Sequence, residues 1–210
     1  MSSGLKYRKQ FNRVLIGGNG SGKTTLEIEI MIDYAKKNKW KRQLLLVPDD
    51  GEDKFDDVEE IEATAQALRT FSGIKKIIVE DVKIFDLILQ VYTDKTQPGY
   101  SKFNGLLICD DMGVMLSRRP EQVIKLFKRR RQANIDFLWA FHGLSTDVPK
   151  AFWGYVSSLI LLQTSDNHED TMKKLALDKQ AEFLDIYKRV QIEAKRVPWY
   201  CEELILRELI

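Results

Sequence analysis

Gly17-Gly18-Asn19-Gly20-Ser21-Gly22-Lys23-Thr24 follows directly on the apolar run Phe11-Asn12-Arg13-Val14-Leu15-Ile16. The spacing G-x-x-x-x-G-K-T reads as a phosphate-binding loop with a strand in front and a helix behind. Glycines let backbone N–H groups converge on the β- and γ-phosphates, and the helix that follows presents its positive end to them. Lys23 is expected to reach the β/γ-phosphates and the Thr24 hydroxyl to sit on Mg²⁺. Residues 17–24, with Thr25 behind them, form the expected nucleotide-binding set. A glycine-rich turn that binds nothing would not need Lys and Thr to close it.

The second chemical element is Leu106-Leu107-Ile108-Cys109-Asp110-Asp111. An apolar strand ending in an acid delivers that acid to the carboxyl edge of an α/β sheet, where such sheets bind ligands. Asp110 is expected to hold Mg²⁺, and Asp111 to polarise an attacking water. Two acids that merely open a loop are common, but the phosphate loop upstream gives these a partner. ATP is the expected nucleotide, since no N-K-x-D guanine signature is present, and no L-S-G-G-Q transporter signature either.

Between the two motifs lie two β/α units, at 43–70 and 74–92. They leave room for a strand inserted between the phosphate-loop strand and the strand ending in Asp110, as in hydrolysing, motor-type enzymes. Strands are expected at about 11–16, 43–47, 74–80, 105–110, 135–141 and 157–163. Helices are expected at about 23–38, 56–70, 83–92, 120–131 and 148–154. The second carries Val58, Ile61, Ala65 and Leu68 on one face. A long helical pattern from about 168 to 195 ends before Pro198, and 199–206 reads as a last strand or helix. Alternating, nearly all-apolar strands imply a mainly parallel sheet with helices on both faces. Residues 1–165 are expected to form the core with a basic N-terminal arm, and 166–210 a C-terminal helical extension packed on it.

The strand at 135–141 leads into His142, placed to sense a γ-phosphate directly or through water; a histidine satisfying a loop carbonyl is the plainer alternative. Residues 117–131 carry seven Lys/Arg against one Glu. Three readings fit this block: a solvated helix end favoured by the helix dipole, a phosphate-tracking surface, or an arginine finger, with Arg129 the candidate, reaching a neighbouring subunit's nucleotide. Arg118 and Arg119 could instead serve a phosphoryl-transfer lid. Elsewhere the charge alternates in blocks, with ten Lys/Arg and three Asp/Glu in residues 1–48, then two and nine in 49–70. Trp139, Trp153 and Tyr155 read as packing residues, while Tyr7 and Tyr100 are the aromatics expected to be exposed enough to stack on bases.

At 210 residues, 44% hydrophobic and 30% charged, the chain describes a soluble globular protein with a sizeable core. No apolar run approaches the roughly 20 residues that span a bilayer, and residues 1–6 lack a signal-peptide core. Cys109 and Cys201 show no metal or disulfide spacing, which suits a reducing compartment.

The order of these features resembles the FtsK–HerA superfamily of nucleic-acid-pumping ATPases. It runs from the phosphate loop and Asp110-Asp111 to Arg129-Arg130-Arg131-Gln132-Ala133-Asn134-Ile135, then Leu144-Ser145-Thr146-Asp147-Val148-Pro149 and the strand at 157–163. Within it the chain is most similar to small genome-packaging ATPases of tailless, membrane-containing viruses and of poxvirus-like viruses. The resemblance covers residues 11–165. It implies a homo-oligomeric ring, a hexamer, with arginine supplied in trans and viral DNA moved through a pore faced by 93–104 or 111–119. It also implies partners at a capsid vertex or on a membrane, and a place in the host cytoplasm or virion. The superfamily usually ends the sensor strand with Gln, where this chain has His142. Filamentous-phage export ATPases share the core but add a membrane helix. A nucleotide or small-molecule kinase, or a non-hydrolysing adaptor, are the remaining alternatives.

Overall fold

The computed structural model describes residues 10–39, 41–48, 55–96, 100–113, 120–143, 150–165 and 167–207. Seven strands form one sheet: β1 (Asn12–Ile16), β2 (Arg42–Pro48), β3 (Ile74–Val79), β4 (Gly105–Asp110), β5 (Ile135–Phe141), β6 (Ser158–Leu161) and β7 (Glu202–Ile205). Their order is β3-β2-β4-β5-β1-β6-β7. The first six run parallel, and β7 alone is antiparallel, on β6. Every residue of β4 and of β5 is buried, which explains why their sequences are continuous rather than alternating. At the start of β4 the backbones crowd: a Cβ at Gly105 would lie 2.0 Å from the Arg42 carbonyl oxygen, so only glycine fits.

The helices are α1 (Lys23–Lys37), α2 (Ala65–Thr70), α3 (Lys83–Thr93), α4 (Pro120–Ala133), α5 (Lys150–Trp153), α6 (His168–Met172) and α7 (Leu177–Glu193). One sheet face is covered by α2, α3, α4, α5 and α7 through Leu68, Ile88, Phe127, Phe152 and Phe183. The opposite face is covered by α1, through Met31 and Tyr34, and by Phe55. The expected sheet with helices on both faces and a helical extension is therefore the observed architecture.

An aromatic column on β5 fixes the larger face. Trp139 stacks on Phe137 (5.7 Å) and Phe141 (6.4 Å), and Phe152 meets Trp139 edge-on at 5.1 Å. Phe127 of α4 packs edge-on against Trp139 at 5.6 Å and lies stacked with Tyr155 at 5.5 Å. Trp139, Trp153 and Tyr155 are thus packing residues. The column ends at Phe141, one residue before His142, so the end of β5 is held by large buried rings.

Four expectations change. The helix expected over 56–70 begins only at Ala65, capped by the Thr64 hydroxyl accepting from the Ala67 amide (3.2 Å). Residues 55–58 turn instead, and Glu60 bridges to Lys76 of β3. The acids there find cations on β3, Glu59 with Lys75 and Asp56 with Lys76, whereas a helix would set like charges one turn apart. The long C-terminal helix is two helices, α6 and α7. The last segment is a strand, β7, so the extension completes the sheet as well as covering it. The strand between β1 and β4 is β5, not a strand from the intervening units. The expected basic arm at 6–9 with Tyr7, the acidic loop 49–54, Arg118, Arg119, the segment 144–149, and residues 97–99 and 114–119 of the candidate pore segments lie outside the described residues. Tyr100 is half-buried rather than exposed.

Candidate nucleotide site

The loop after β1 is clamped from both sides. The Gly17 amide donates to the Phe141 carbonyl of β5 (3.2 Å), and the Gly18 amide to the Gln163 carbonyl beyond β6 (2.8 Å). Gly22 takes a left-handed conformation (φ 92°) that starts α1. The first turn of α1 contains no acid, so its positive end is left for an incoming anion, while Lys36 and Lys37 stand in the last turn. On the opposite face of the sheet from the aromatic column, the Tyr34 hydroxyl donates to Asp136 (2.8 Å) and ties α1 to β5.

A cleft of about 530 Å³ opens here, lined by Gly18, Asn19, Gly20, Gly22, Lys23, Thr24, Thr25, His142 and Trp199. Gly17 and Ser21 are buried beneath it. Asp110, 1% exposed, ends β4. Asp111 follows in a left-handed conformation (φ 48°), its amide donating to the Ala140 carbonyl (3.1 Å). A non-glycine residue held there marks a site where the fold imposes a particular direction on a side chain.

That direction is toward His142. The Asp111 carboxylate lies 2.5 Å from His142 Nε2. On its other side, His142 Nδ1 lies 2.8 Å from the Lys23 ammonium. One neutral tautomer satisfies both contacts: Nε2–H donates to Asp111 and Nδ1 accepts from Lys23. The insertion of β5 between β1 and β4 makes this chain of three residues possible. Thr24 and Asp110 offer hard oxygen donors of the kind Mg²⁺ takes alongside phosphate oxygens and water. Among the described residues no group of three or more His, Cys, Asp or Glu is placed to hold a metal.

Arg129 is not part of this cleft. It lies at the end of α4, by the amino end of β5, where it donates to the Thr93 hydroxyl (3.0 Å). Arg130 donates to the Tyr155 carbonyl (3.1 Å), and burial, then Arg131 and Arg207, pull its guanidinium below its ordinary value. The arginine cluster thus occupies the pole of the sheet opposite the phosphate loop, away from Lys23.

Two residues at the site escaped the sequence reading. Glu27 is fully buried on α1, one turn beyond Lys23. Burial, then Asp110 and Glu27, raise the Cys109 thiol well above its ordinary value, so Cys109 is an inert core residue. The signal for Glu27 was present as an acid four residues after Lys23. Trp199 is the other. It is the third residue of a turn closed by the Tyr200 amide donating to the Val197 carbonyl (3.3 Å), with Pro198 second. Its φ of 60° is the one that such Pro-containing turns usually give to glycine or asparagine, at a cost of about 1–3 kcal/mol for other residues.

The turn is pinned by Glu202. Arg189 donates to both of its oxygens (2.9 and 2.7 Å) and the Tyr200 hydroxyl to one (2.9 Å). The Arg189 bonds hold the Glu202 carboxyl below its ordinary value. A carboxylate so lowered stabilises the fold above its unfolded pKa of about 4.3 and loses that contribution as pH falls through the folded value. Glu202→Gln is therefore expected to lower the urea midpoint at pH 7 and to approach wild type once pH has fallen through the lowered folded value of Glu202, as followed by circular dichroism across a pH series.

The fold and the loop define the class: a phosphate-loop, RecA-like α/β protein. The sequence matches no family model and no curated protein. Among solved structures, the chain is similar to the genome packaging NTPase B204 of Sulfolobus turreted icosahedral virus 2 in complex with AMP. That pair has a TM-score of 0.68 at 11% identity, covering 96% of this chain and 95% of that one. The same NTPase in complex with ATP-gammaS gives 0.69 at 12%, covering 93% and 92%. The cytoplasmic domain of the Thermomonospora curvata type VII secretion ATPase EccC gives 0.54 at 15%, covering 94% of this chain and 24% of that one. At these identities the likeness is one of fold.

Proposed function

We propose that this chain is an ATP-hydrolysing motor of the FtsK–HerA type that drives a viral DNA genome into a capsid. The observation that carries the reading is the contact chain Lys23–His142–Asp111 at the mouth of the phosphate-loop cleft. It ties a phosphate-binding cation, a polar sensor and a water-orienting acid together, as hydrolysis requires and phosphate binding alone does not. Support for the cargo comes from the fold likeness to a viral genome packaging NTPase over nearly the whole of both chains. No helix among the described residues is long and apolar enough to cross a membrane.

In this reading the backbone amides of residues 18–24 and Lys23 hold the β- and γ-phosphates. Thr24 and Asp110 hold Mg²⁺, which when bound neutralises phosphate charge. Asp111 orients the water in line with the γ-phosphate and accepts its proton. His142 shifts its Nε2–H from Asp111 to a γ-phosphate oxygen while Nδ1 still accepts from Lys23, in the place where the superfamily uses Gln. Arg129, at the far pole, meets the nucleotide of the next subunit in a hexameric ring, with a capsid vertex or membrane-associated proteins as docking partners. The core at 1–165 carries the chemistry and 166–210 closes over it, in the host cytoplasm or the virion.

The test is phosphate release by the full chain with Mg²⁺ and ATP, with and without duplex DNA. Turnover that rises several-fold with DNA is expected; turnover indifferent to DNA, or phosphate passed to a nucleoside monophosphate, would overturn the assignment.

A further inference from the structure

Trp199 is a large apolar side chain in an unusual position. It is 58% exposed, yet it is not on a mobile tip: the turn that carries it is closed by a backbone bond and pinned through Glu202 to α7. Its indole lies against the phosphate loop. A Cβ built at Gly22 would fall 2.4 Å from Trp199 Cδ1, so Gly22 lacks a side chain where the ring passes. The ring also lines the same cleft as Thr25 and Lys23. A backbone conformation disfavoured for tryptophan is thus maintained, and the result is an accessible aromatic face at the edge of a site whose other walls are polar.

We infer that Trp199 is the base platform of this site: the nucleobase of the bound nucleotide stacks on its indole while the triphosphate lies in the loop. The inference rests on the loop being a nucleotide site. The polar loop supplies donors for phosphate, and the indole supplies the apolar, polarisable surface that a base needs once it leaves water. Stacking of this kind accepts every base, because each has a π-face. The platform therefore confers affinity for a nucleoside triphosphate over inorganic phosphates, with little choice between adenine and guanine.

The experiment compares the dissociation constants of Mg-ATP, Mg-GTP and Mg-tripolyphosphate for wild type, W199A, W199F and K23A by calorimetry. W199A is expected to weaken ATP and GTP alike by about tenfold or more, W199F by less than about threefold, and tripolyphosphate binding is expected to be unchanged. The KM for ATP should rise with that loss while kcat at saturation stays within about a factor of two. ATP binding by W199A as tight as wild type overturns the inference. So does equal weakening of ATP and tripolyphosphate, which would make the ring a prop for the loop. The parent reading fails differently: wild type would bind none of the three ligands, or K23A would bind all as well as wild type. Quenching of tryptophan emission by ATP, absent in W199F, is the accompanying spectroscopic signature. Of the other three tryptophans, Trp139 and Trp153 are buried and away from the cleft, and Trp40 lies outside the described residues, so the W199F difference from wild type is the readout.

Discussion

Lys23→Ala is expected to reduce ATP turnover by at least about 10²–10³-fold, the scale on which removing one preorganised charge partner from a transition state acts. Lys23 is only 7% exposed, at the first turn of α1. Its ammonium reaches His142 across the cleft. The side chain is therefore already confined to the space that the β- and γ-phosphates would enter, and little ordering remains to be done when they arrive. Truncation removes that charge and also leaves His142 Nδ1 without this donor, so binding of ATP should weaken together with kcat. Alanine is a strong helix former, and α1 should persist; an unchanged circular dichroism spectrum separates lost chemistry from lost folding. Phosphate release by Lys23→Ala within a factor of about three of wild type would remove the loop from the reaction.

Asp111→Asn separates binding from chemistry. Turnover is expected to fall by about 10²–10⁴-fold, the usual range for loss of a positioned base, with the ATP dissociation constant nearly unchanged. Asparagine is the informative substitution for two structural reasons. It tolerates the left-handed backbone that Asp111 occupies at φ 48°, where alanine would add strain. Its amide oxygen can also accept from His142 Nε2–H, so the contact chain to Lys23 keeps its geometry. What it cannot do is accept a proton from water. Full turnover with Asp111→Asn would leave the carboxylate as a structural end to β4 and nothing more.

The loop and the strand ending in Asp110 were legible because their signals are local. A fixed glycine spacing and a continuous apolar run need no knowledge of the rest of the chain. The parallel sheet followed from the same runs, since strands buried on both faces cannot alternate. The segment 55–64 misled for the opposite reason. Val58 and Ile61 have helical spacing, but partners outside the segment, Lys75 and Lys76, take its acids, and Phe55 tucks beneath the sheet. The place of Arg129 was hidden by distance: only the direction of α4 relative to β5 puts it at the pole away from Lys23. Trp199 lies 177 positions after Gly22 in numbering and carries no motif. Its role near the loop exists only because β7 turns back on β6.

That reversal also settles where the described chain begins and ends. With β1 parallel to β6 and β7 antiparallel, Gln10 and Arg207 stand at the same edge of the sheet. There the Arg207 amide donates to the Ser157 carbonyl and the Gln10 amide group to Asn134. The nucleotide cleft is at the other edge. A label placed at Gln10 or at Arg207 therefore sits on the side opposite the nucleotide. Both positions can carry probes for single-molecule observation while ATP keeps an open approach.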